Sequence, residues 1–214
     1  YDELMEEPEE GGLSKKLSLA FERFPPSVKY VTWLGDDDLL TPNSLDFLRD
    51  RLDSRPEEVL VYGACDYIDA ESRRIGRNNS GQWAIPVSRY GPFLAPQPGS
   101  LFRRAAFRKI GGLDEGLKLA FDYDLFLSMD KIGNVAYVPM VVAKFRWHQG
   151  SLSVKHRVLS VREAAQVRLK HASPLGKPLV LILNPIVSFA TLVAGKFLSF
   201  SRGGRHTNVE YDLH

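Results

Sequence analysis

Three consecutive carboxylates, Asp36, Asp37 and Asp38, are the first residues in this sequence whose types and spacing suggest chemistry. They follow the apolar run 28–32, which has the composition of a buried strand. Neighbouring carboxylates repel one another, whereas hard cations such as Mg²⁺ and Mn²⁺ prefer carboxylate oxygens. The triplet therefore has two interpretations, a metal site at the end of a strand or a solvated acidic turn that caps the next helix.

Two more titratable positions lie further along the chain. Asp122 and Asp124 stand where an apolar helical pattern begins, and His148 follows an apolar run that ends at Arg146 and Trp147. The helix dipole favours the ionised form of a carboxylate at this place. Asp122 therefore has two interpretations, a general base or a helix cap. His148 is either a metal or diphosphate ligand or an ordinary surface side chain.

The composition excludes several classes of protein. Of the 214 residues 44% are hydrophobic, which is enough for a sizeable core. The 28 basic and 26 acidic residues give a net charge of +2, so nucleic acid is not the expected partner. The single cysteine, Cys65, excludes an internal disulfide framework and a cysteine-rich zinc site.

Apolar periodicity predicts the elements that position these residues. The alternation of strands and helices indicates an α/β fold with a mainly parallel sheet. In chain order, we expect a helix at 13–24 capped by Ser14, a strand at 28–34, a helix at 43–52, a strand at 59–62, a hairpin or mobile loop within 66–95, short helices at 105–110 and 125–131, strands at 135–138 and 141–145, and a helix at 158–171.

The segment 179–195 differs in kind, because it carries no charge and is followed by a basic cluster. A helix that spans a bilayer needs about 20 apolar residues, and Asn184-Pro185 interrupts this one. Two interpretations stay open, a membrane-embedded or interfacial hairpin and a core helix packed on the rest of the chain.

The motifs, taken in order, resemble those of family-two glycosyltransferases of the GT-A fold. The stretches that carry the resemblance, within roughly residues 9–171, are Gly11-Gly12-Leu13-Ser14-Lys15-Lys16, Trp33-Leu34-Gly35-Asp36-Asp37-Asp38, Val61-Tyr62-Gly63-Ala64-Cys65-Asp66-Tyr67-Ile68-Asp69, Gln97-Pro98-Gly99-Ser100-Leu101-Phe102-Arg103-Arg104, Ile110-Gly111-Gly112-Leu113-Asp114-Glu115, Phe121-Asp122-Tyr123-Asp124-Leu125 and Arg146-Trp147-His148-Gln149-Gly150-Ser151-Leu152-Ser153.

The resemblance implies a GT-A-like mixed, mainly parallel sheet flanked by helices, followed by a C-terminal apolar helical segment. The family opens with a strand, helix and strand that hold the nucleotide, and the resemblance starts after them. We therefore expect an N-terminally truncated catalytic core over 1–175, an apolar, membrane-associated segment over 176–201 and a polar tail over 202–214.

The activity implied by the resemblance is metal-dependent, inverting transfer of a sugar from a nucleotide-diphosphate donor to an acceptor hydroxyl. The acceptor would be a saccharide or a lipid-linked molecule, in the synthesis of cell-surface polysaccharide or glycolipid. The implied cofactor is Mg²⁺ or Mn²⁺. The implied location is the cytoplasm, at the cytoplasmic face of a membrane whose surface is a further partner.

Site roles follow from the resemblance residue by residue. They assign the metal to Asp36, Asp38 and His148, the donor diphosphate to Asp37 and Arg146, the general base to Asp122, and the acceptor to Asp124 and Trp147. Phe121 stands where the family usually has an acidic residue.

Two other functions fit parts of the pattern. One is a non-catalytic, transferase-like binding module that docks at a membrane, although such a relic has no need of Asp36, Asp38 and Asp122. The other is a metal-dependent nucleotidyl or phosphoryl transferase, since acidic residues at a strand end also suit that chemistry. The sequence has no Walker-type glycine-rich loop, which argues against an ATPase.

Overall fold

The computed structural model describes residues 12–147 and 156–203, and within 195–203 it describes the backbone only. One mixed sheet is flanked by helices, and an apolar helix ends the described chain, which confirms the predicted fold class. The elements are α1 (Leu13–Arg23), β1 (Tyr30–Val31), β2 (Leu39–Leu40), α2 (Ser44–Ser54), β3 (Glu58–Ile68), β4 (Arg74–Asn78), a 3₁₀ turn (Gly81–Trp83), α3 (Ala84–Ser88), β5 (Leu101–Arg103), α4 (Arg104–Lys109), α5 (Phe121–Asp130), β6 (Asn134–Arg146), α6 (Arg157–His171) and α7 (Lys177–Gly203).

The six strands lie in the order β1-β5-β3-β6-β2, with β4 beside β3. The long strands β3 and β6 are parallel and form the centre of the sheet. The other pairings between described strands are antiparallel, so the sheet has less parallel character than the alternation of strands and helices predicts. Short strands such as β4, which follows β3 through a tight turn, account for the difference.

Three strands point the same way. β1 is antiparallel to β5, β5 is antiparallel to β3, and β6 is parallel to β3. The carboxyl ends of β1, β3 and β6 therefore meet at one edge of the sheet, where ligands bind in open α/β folds. The residues that follow these ends are the acidic triplet after β1, Asp69 after β3 and Trp147 after β6.

The central strand β3 separates two apolar clusters. Leu60 and Tyr62 face a cluster that includes side chains of α1, α4 and α5. Val61 and Cys65, on the opposite face, pack with Leu48 and other residues of α2 and β6. This alternation has the period of two that a strand buried on both faces requires. Helices packed on both faces of β3 thus fix the position of the carboxyl edge of the sheet.

The start of the chain differs in detail from the prediction. The strand expected at 28–34 pairs only at Tyr30 and Val31, because the chain then leaves the sheet towards the acidic turn. Gly12, not Ser14, precedes α1. Ser14 lies inside the helix, where its hydroxyl donates a hydrogen bond to the carbonyl oxygen of Leu117 at 3.1 Å.

The apolar C-terminal segment forms one helix, so the predicted hairpin is wrong. Pro185 lies within α7, and the side chain of the preceding residue, Asn184, holds this point against α6. Its Oδ1 accepts a hydrogen bond from Nε of Arg168 at 2.6 Å, and its Nδ2 donates to the carbonyl of Ala165 at 3.2 Å. By length and composition α7 could cross a membrane, and most of it is not buried, which disfavours the core-helix interpretation.

Candidate active site

The acidic triplet forms a turn at the carboxyl edge of the sheet. The backbone N–H of Asp38 donates to the carbonyl oxygen of Gly35 at 3.2 Å, which closes the turn. Asp36 is exposed at the tip, Asp37 is half-buried and Asp38 is buried. Because the segment is a turn, adjacent side chains need not point to opposite sides as they would along an extended strand.

Two of the three carboxylates converge on Gly35. A Cβ atom added to this glycine would lie 2.9 Å from Oδ2 of Asp38 and 3.2 Å from Oδ1 of Asp37. Burial raises the pKa of Asp38, and the charge of Asp37 raises it further, although a hydrogen bond from the backbone N–H of Arg146 to Oδ1, at 2.9 Å, opposes the rise. Two carboxylates held at this proximity are an arrangement that a bound cation stabilises.

Arg146 holds the turn in place. Its Nε donates to the carbonyl oxygen of Asp37 at 3.1 Å, and its Nη1 donates to those of Asp69 and Ala70 at 2.6 and 3.0 Å. Nη2 donates to the hydroxyl of Ser72 at 3.0 Å. The guanidinium therefore ties the acidic turn to the carboxyl end of β3. This positioning role was not expected from the sequence, and contact with a donor diphosphate stays a prediction.

The structure describes only the first of the two residues that follow Arg146. The backbone N–H of Trp147 donates to the carbonyl oxygen of Ile68 at 2.9 Å, which extends the pairing of β6 with β3. Trp147 is half-buried. The predicted metal ligand His148 lies outside the described residues, so its role stays a prediction.

Asp122 lies in the first turn of α5, a few residues earlier than the helix predicted at 125–131. Its Oδ1 accepts a hydrogen bond from the backbone N–H of Tyr123 at 2.7 Å. Burial raises the pKa of Asp122 to about 6. Asp122 also lines a cavity of about 230 Å³ between α5, α6 and α7. A partly buried carboxylate with a pKa near neutrality, beside a cavity, has the properties of a general base.

An aromatic contact connects the acidic turn with the Asp122 helix. The rings of Trp33 and Phe121 lie 6.0 Å apart, and Trp33 also packs against Phe21 and Phe102. Trp33 is three residues before the triplet and Phe121 immediately precedes Asp122. Phe121 therefore has a packing role, and an acidic side chain at this position would face an aromatic cluster.

Glu163, on α6, is a residue that the sequence did not single out. It is buried, and its carboxylate accepts hydrogen bonds of 2.8–3.2 Å from three consecutive backbone N–H groups, those of Lys118, Leu119 and Ala120. These groups directly precede α5, so Glu163 fixes the segment that presents Asp122. The only signal in the sequence is an isolated acid in a basic helix.

Asp124 has a different environment from Asp122. Its buried carboxylate contacts Nε2 of His171 at 2.7 Å and Nζ of Lys170 at 2.9 Å. Burial alone would raise the pKa of Asp124, but the hydrogen bonds from His171 and Lys170 outweigh it and lower the pKa. These contacts join α5 to the end of α6. The structural role of Asp124 is to hold these two helices together, and its contact with an acceptor stays a prediction.

The donor set at the acidic turn fits a hard cation that also binds phosphate. Within residues 12–147 and 156–203, no three His, Cys, Asp or Glu side chains are arranged to hold a metal. Mg²⁺, however, is usually bound through one or two carboxylates together with substrate phosphates and water. Asp37 and Asp38 supply such a pair.

Comparison with solved structures identifies the fold as GT-A-like. The chain superposes on residues 1–349 of TarS of S. aureus with a TM-score of 0.50 and 15% identity, over 91% of this chain and 53% of that segment. It superposes on the mannosyltransferase PcManGT of Pyrobaculum calidifontis, in complex with GDP-Man and Mn²⁺, with a TM-score of 0.54 and 15% identity, over 90% and 56% of the two chains. At this identity the likeness shows the fold alone.

Sequence relatives point the same way. An uncharacterized glycosyltransferase of Rickettsia typhi is 28% identical over 155 residues, which are 65% of this chain and 46% of the relative. An uncharacterized glycosyltransferase of Rickettsia conorii is 23% identical over 160 residues, 69% of this chain and 26% of the relative. The chain thus spans less than half the length of these curated relatives. No protein-family model matches it.

Proposed function

We propose that this chain carries the metal-binding and acceptor-binding residues of a glycosyltransferase that moves a sugar from a nucleotide-diphosphate donor to an acceptor hydroxyl with inversion. The observation that carries the proposal is the convergence of Asp37 and Asp38 on Gly35, at the carboxyl edge of the sheet. The contact between the rings of Trp33 and Phe121 connects this turn with the helix that bears Asp122. The names of the relatives and the GT-A-like fold support the same reaction class.

The side chains divide the work as follows. Asp38, buried and oriented by the N–H of Arg146, would hold Mg²⁺ or Mn²⁺. Asp37, which the resemblance assigned to the donor, lies beside Asp38 and would be a second ligand, and Asp36, assigned to the metal, would complete the set from the exposed tip of the turn. A cation held there would supply positive charge against the departing diphosphate. Asp122 accepts the proton of the acceptor hydroxyl. A single displacement with inversion needs one such base, on the face of the sugar opposite the leaving group.

The test of the metal site is the variant Asp38→Asn, assayed in the protein that includes any donor-binding segment. We expect Mn²⁺ affinity, measured by calorimetry, to fall at least about tenfold, since one charged ligand is lost. Sugar transfer from a panel of nucleotide sugars should disappear. Asp50→Asn, on the exposed face of α2, is the matched control and should change neither quantity. Normal turnover of Asp38→Asn at saturating Mn²⁺ would refute the assignment.

A second proposal concerns location. The outer face of α7 exposes apolar side chains at helical spacing, Leu179, Ile182, Ile186, Phe189 and Val193, and each is between 48% and 70% exposed. Lys177 begins the helix, and in the sequence Lys196, Arg202 and Arg205 lie at and just beyond its other end. An apolar face with basic ends suits the surface of an anionic membrane, such as a cytoplasmic leaflet. We therefore propose that the protein lies at the cytoplasmic face of a membrane.

Vesicle flotation tests this location. The chain should float with vesicles of three parts phosphatidylcholine to one part phosphatidylglycerol, and the double variant Ile182→Asp/Phe189→Asp should stay in the dense fraction. The control is the double variant Arg49→Gln/Arg162→Gln at two exposed positions, which lowers the net charge by the same two units without changing the apolar face and should float like the wild type. Equal flotation of the Ile182→Asp/Phe189→Asp protein would contradict the proposal.

The non-catalytic binding module is the weaker alternative. Such a module would have no use for a partly buried carboxylate at Asp122, whose pKa burial raises, or for the crowded pair of carboxylates at Gly35. Their presence favours an enzyme.

A further inference from the structure

The turn that precedes β5 lies at the carboxyl edge of the sheet, near the acidic turn. Because β5 is antiparallel to β1 and β3, it begins at the edge where those two strands end. Gln97, four residues before β5, reaches the chain that leaves β1, where its Nε2 donates a hydrogen bond to the carbonyl oxygen of Trp33 at 3.0 Å. Trp33 and Gly35 are two residues apart, so their Cα atoms lie at most about 7.6 Å from each other. Gln97 is therefore a close neighbour of the proposed metal site, although that site does not use it.

The turn that bears Gln97 is rigid. The backbone N–H of Ser100 donates to the carbonyl oxygen of Gln97 at 2.9 Å, Pro98 occupies the second position, and Gly99 has a φ of 76° at the third. These are the features of a type II turn, in which proline and glycine suit those two places. A Cβ atom added to Gly99 would lie 2.9 Å from Cβ of Ala143, so the turn packs directly on β6. Gln97 is therefore held from two sides, by its own turn and by the end of β1.

Most of the hydrogen-bonding capacity of the Gln97 carboxamide is uncommitted. A carboxamide has two N–H donors and an oxygen with two lone pairs. One N–H donates to Trp33, and since a carbonyl oxygen can only accept, Nε2 rather than Oε1 must face it. Among the described residues no donor contacts Oε1, and this oxygen is not one of the buried polar atoms that lack a partner. Oε1 is therefore accessible from solvent at the edge of the sheet.

The uncommitted atoms suit one part of a nucleotide sugar. Phosphate oxygens only accept hydrogen bonds, so a diphosphate would repel Oε1. A sugar hydroxyl both donates and accepts, and two adjacent hydroxyls can pair with Oε1 and with the second N–H of Nε2. In the proposed reaction the sugar lies between the metal, which contacts its diphosphate, and the general base. Trp33 is next to both, because its ring lies 6.0 Å from that of Phe121, which precedes Asp122.

We propose that Gln97 determines which donor sugar is used, because its Oε1 accepts a hydrogen bond from one hydroxyl group of the transferred sugar. This inference rests on the proposed function, since it adds a contact to the same site. The rigid turn fixes Oε1 relative to the acidic turn, so a hydroxyl of one configuration meets it and that of the epimer does not. A donor without this hydroxyl would leave Oε1 desolvated and unpaired, which selects against that donor.

The test removes the two partners of this hydrogen bond one at a time, in the protein that includes any donor-binding segment. The parent donor is the member of a panel of nucleotide sugars, among them UDP-glucose, UDP-galactose and GDP-mannose, that the wild type uses best. Its analogues replace one sugar hydroxyl at a time by hydrogen. We expect kcat/KM of the wild type to fall at least about fivefold for one of them, the critical analogue. Equal use of every analogue would overturn the proposal.

Gln97→Met keeps the length of the side chain and removes its hydrogen bonds. The ratio of kcat/KM between the parent donor and the critical analogue should fall from at least about five to about one. If Gln97 served only to tie its turn to Trp33, both rates would fall together and the ratio would keep its wild-type value, which would overturn the proposal. Gln166→Met, at an exposed position of α6, is the matched control and should keep both rates.

A second variant and the metal test complete the design. Gln97→Asn keeps a carboxamide but withdraws it by one methylene, so it should show the same loss of the ratio, and it replaces Gln97→Met if that variant does not fold. If the wild type transfers no sugar of the panel, the proposed function fails and this inference fails with it. If transfer occurs and is lost in Asp38→Asn while the Gln97 variants keep the wild-type ratio, only the role of Gln97 is wrong and the transferase proposal stands.

Discussion

Replacing Asp122 by Asn should make the protein more stable and inactive at the same time. The substitution keeps the size of the side chain and removes its charge. In the wild type, burial raises the pKa of this carboxyl from 3.8 to about 6. The folded state therefore disfavours the ionised form, and a neutral amide avoids that cost.

The expected magnitude follows from the pKa. At about 1.4 kcal/mol for each tenfold change in proton affinity, the rise corresponds to up to about 3 kcal/mol of free energy. Because folding raises this pKa, the protonated carboxyl stabilises the folded state. This stabilisation is complete below pH 3.8 and is lost as the pH rises through about 6. Asp122→Asn should therefore exceed the wild type in stability by up to about 3 kcal/mol at pH 8, and the difference should vanish towards pH 4.

Urea unfolding followed by tryptophan fluorescence, at several pH values between 4 and 8, measures this difference. Asp124→Asn is the matched control on the same helix. Its pKa is lowered, so its ionised form contributes stability above the unfolded-state pKa of 3.8 that is lost as the pH falls through its folded value. Asp124→Asn should thus be destabilised at pH 8. A capping carboxylate at position 122 would behave like Asp124, and a loss of stability in Asp122→Asn would refute our reasoning.

Activity supplies the second half of the prediction. A general base must be ionised, so kcat/KM of the wild type should fall as the pH drops through about 6. Removing the base should reduce kcat by roughly 10²- to 10⁴-fold. Donor binding should be unchanged, since Asp122 is assigned to the acceptor hydroxyl. A variant that is more stable but transfers sugar normally would remove Asp122 from the mechanism.

Three further predictions concern groups that position the site. Gly35→Ala should weaken Mn²⁺ binding measured by calorimetry, because the new methyl group would lie 2.9 Å from Oδ2 of Asp38 and 3.2 Å from Oδ1 of Asp37. Glu163→Gln should lower kcat with little change in donor KM, and should destabilise the protein by about 1–3 kcal/mol in urea unfolding, since a charged acceptor of backbone N–H groups is lost. Arg146→Lys should also reduce Mn²⁺ affinity, because one ammonium cannot replace the four contacts of the guanidinium; wild-type affinity would contradict that role.

The sequence predicts the central parts of the fold well, since they depend on local periodicity. The apolar run that forms β3, the helix that became α2 and the position of Asp122 near a helix start all follow from short-range patterns. β1 is shorter than its apolar run, because strand length depends on how far β5 continues beside it. The single parallel pair at the sheet centre is likewise set by tertiary pairing.

The supporting residues of the site were harder to predict for a related reason. Glu163 and Arg168 read as ordinary charged positions on a basic helix, because their importance comes from partners far away in the sequence. Similarly, the resemblance assigned Arg146 to the donor diphosphate and gave no sign that its guanidinium contacts the acidic turn and the end of β3. Long-range hydrogen bonds have no periodic signature, so they were found only in the structure.

The attachment of α7 to α6 has a practical consequence for producing this protein. Shortening the chain at residue 175, to improve solubility, would remove Val180, which is only 1% exposed, and would uncover the surface against which it packs. It would also remove Asn184, which accepts a hydrogen bond from Arg168. The shortened protein would then carry a buried guanidinium with one fewer acceptor and a cavity without one wall. Detergent or lipid nanodiscs are therefore better choices than truncation for purifying it in an assayable form.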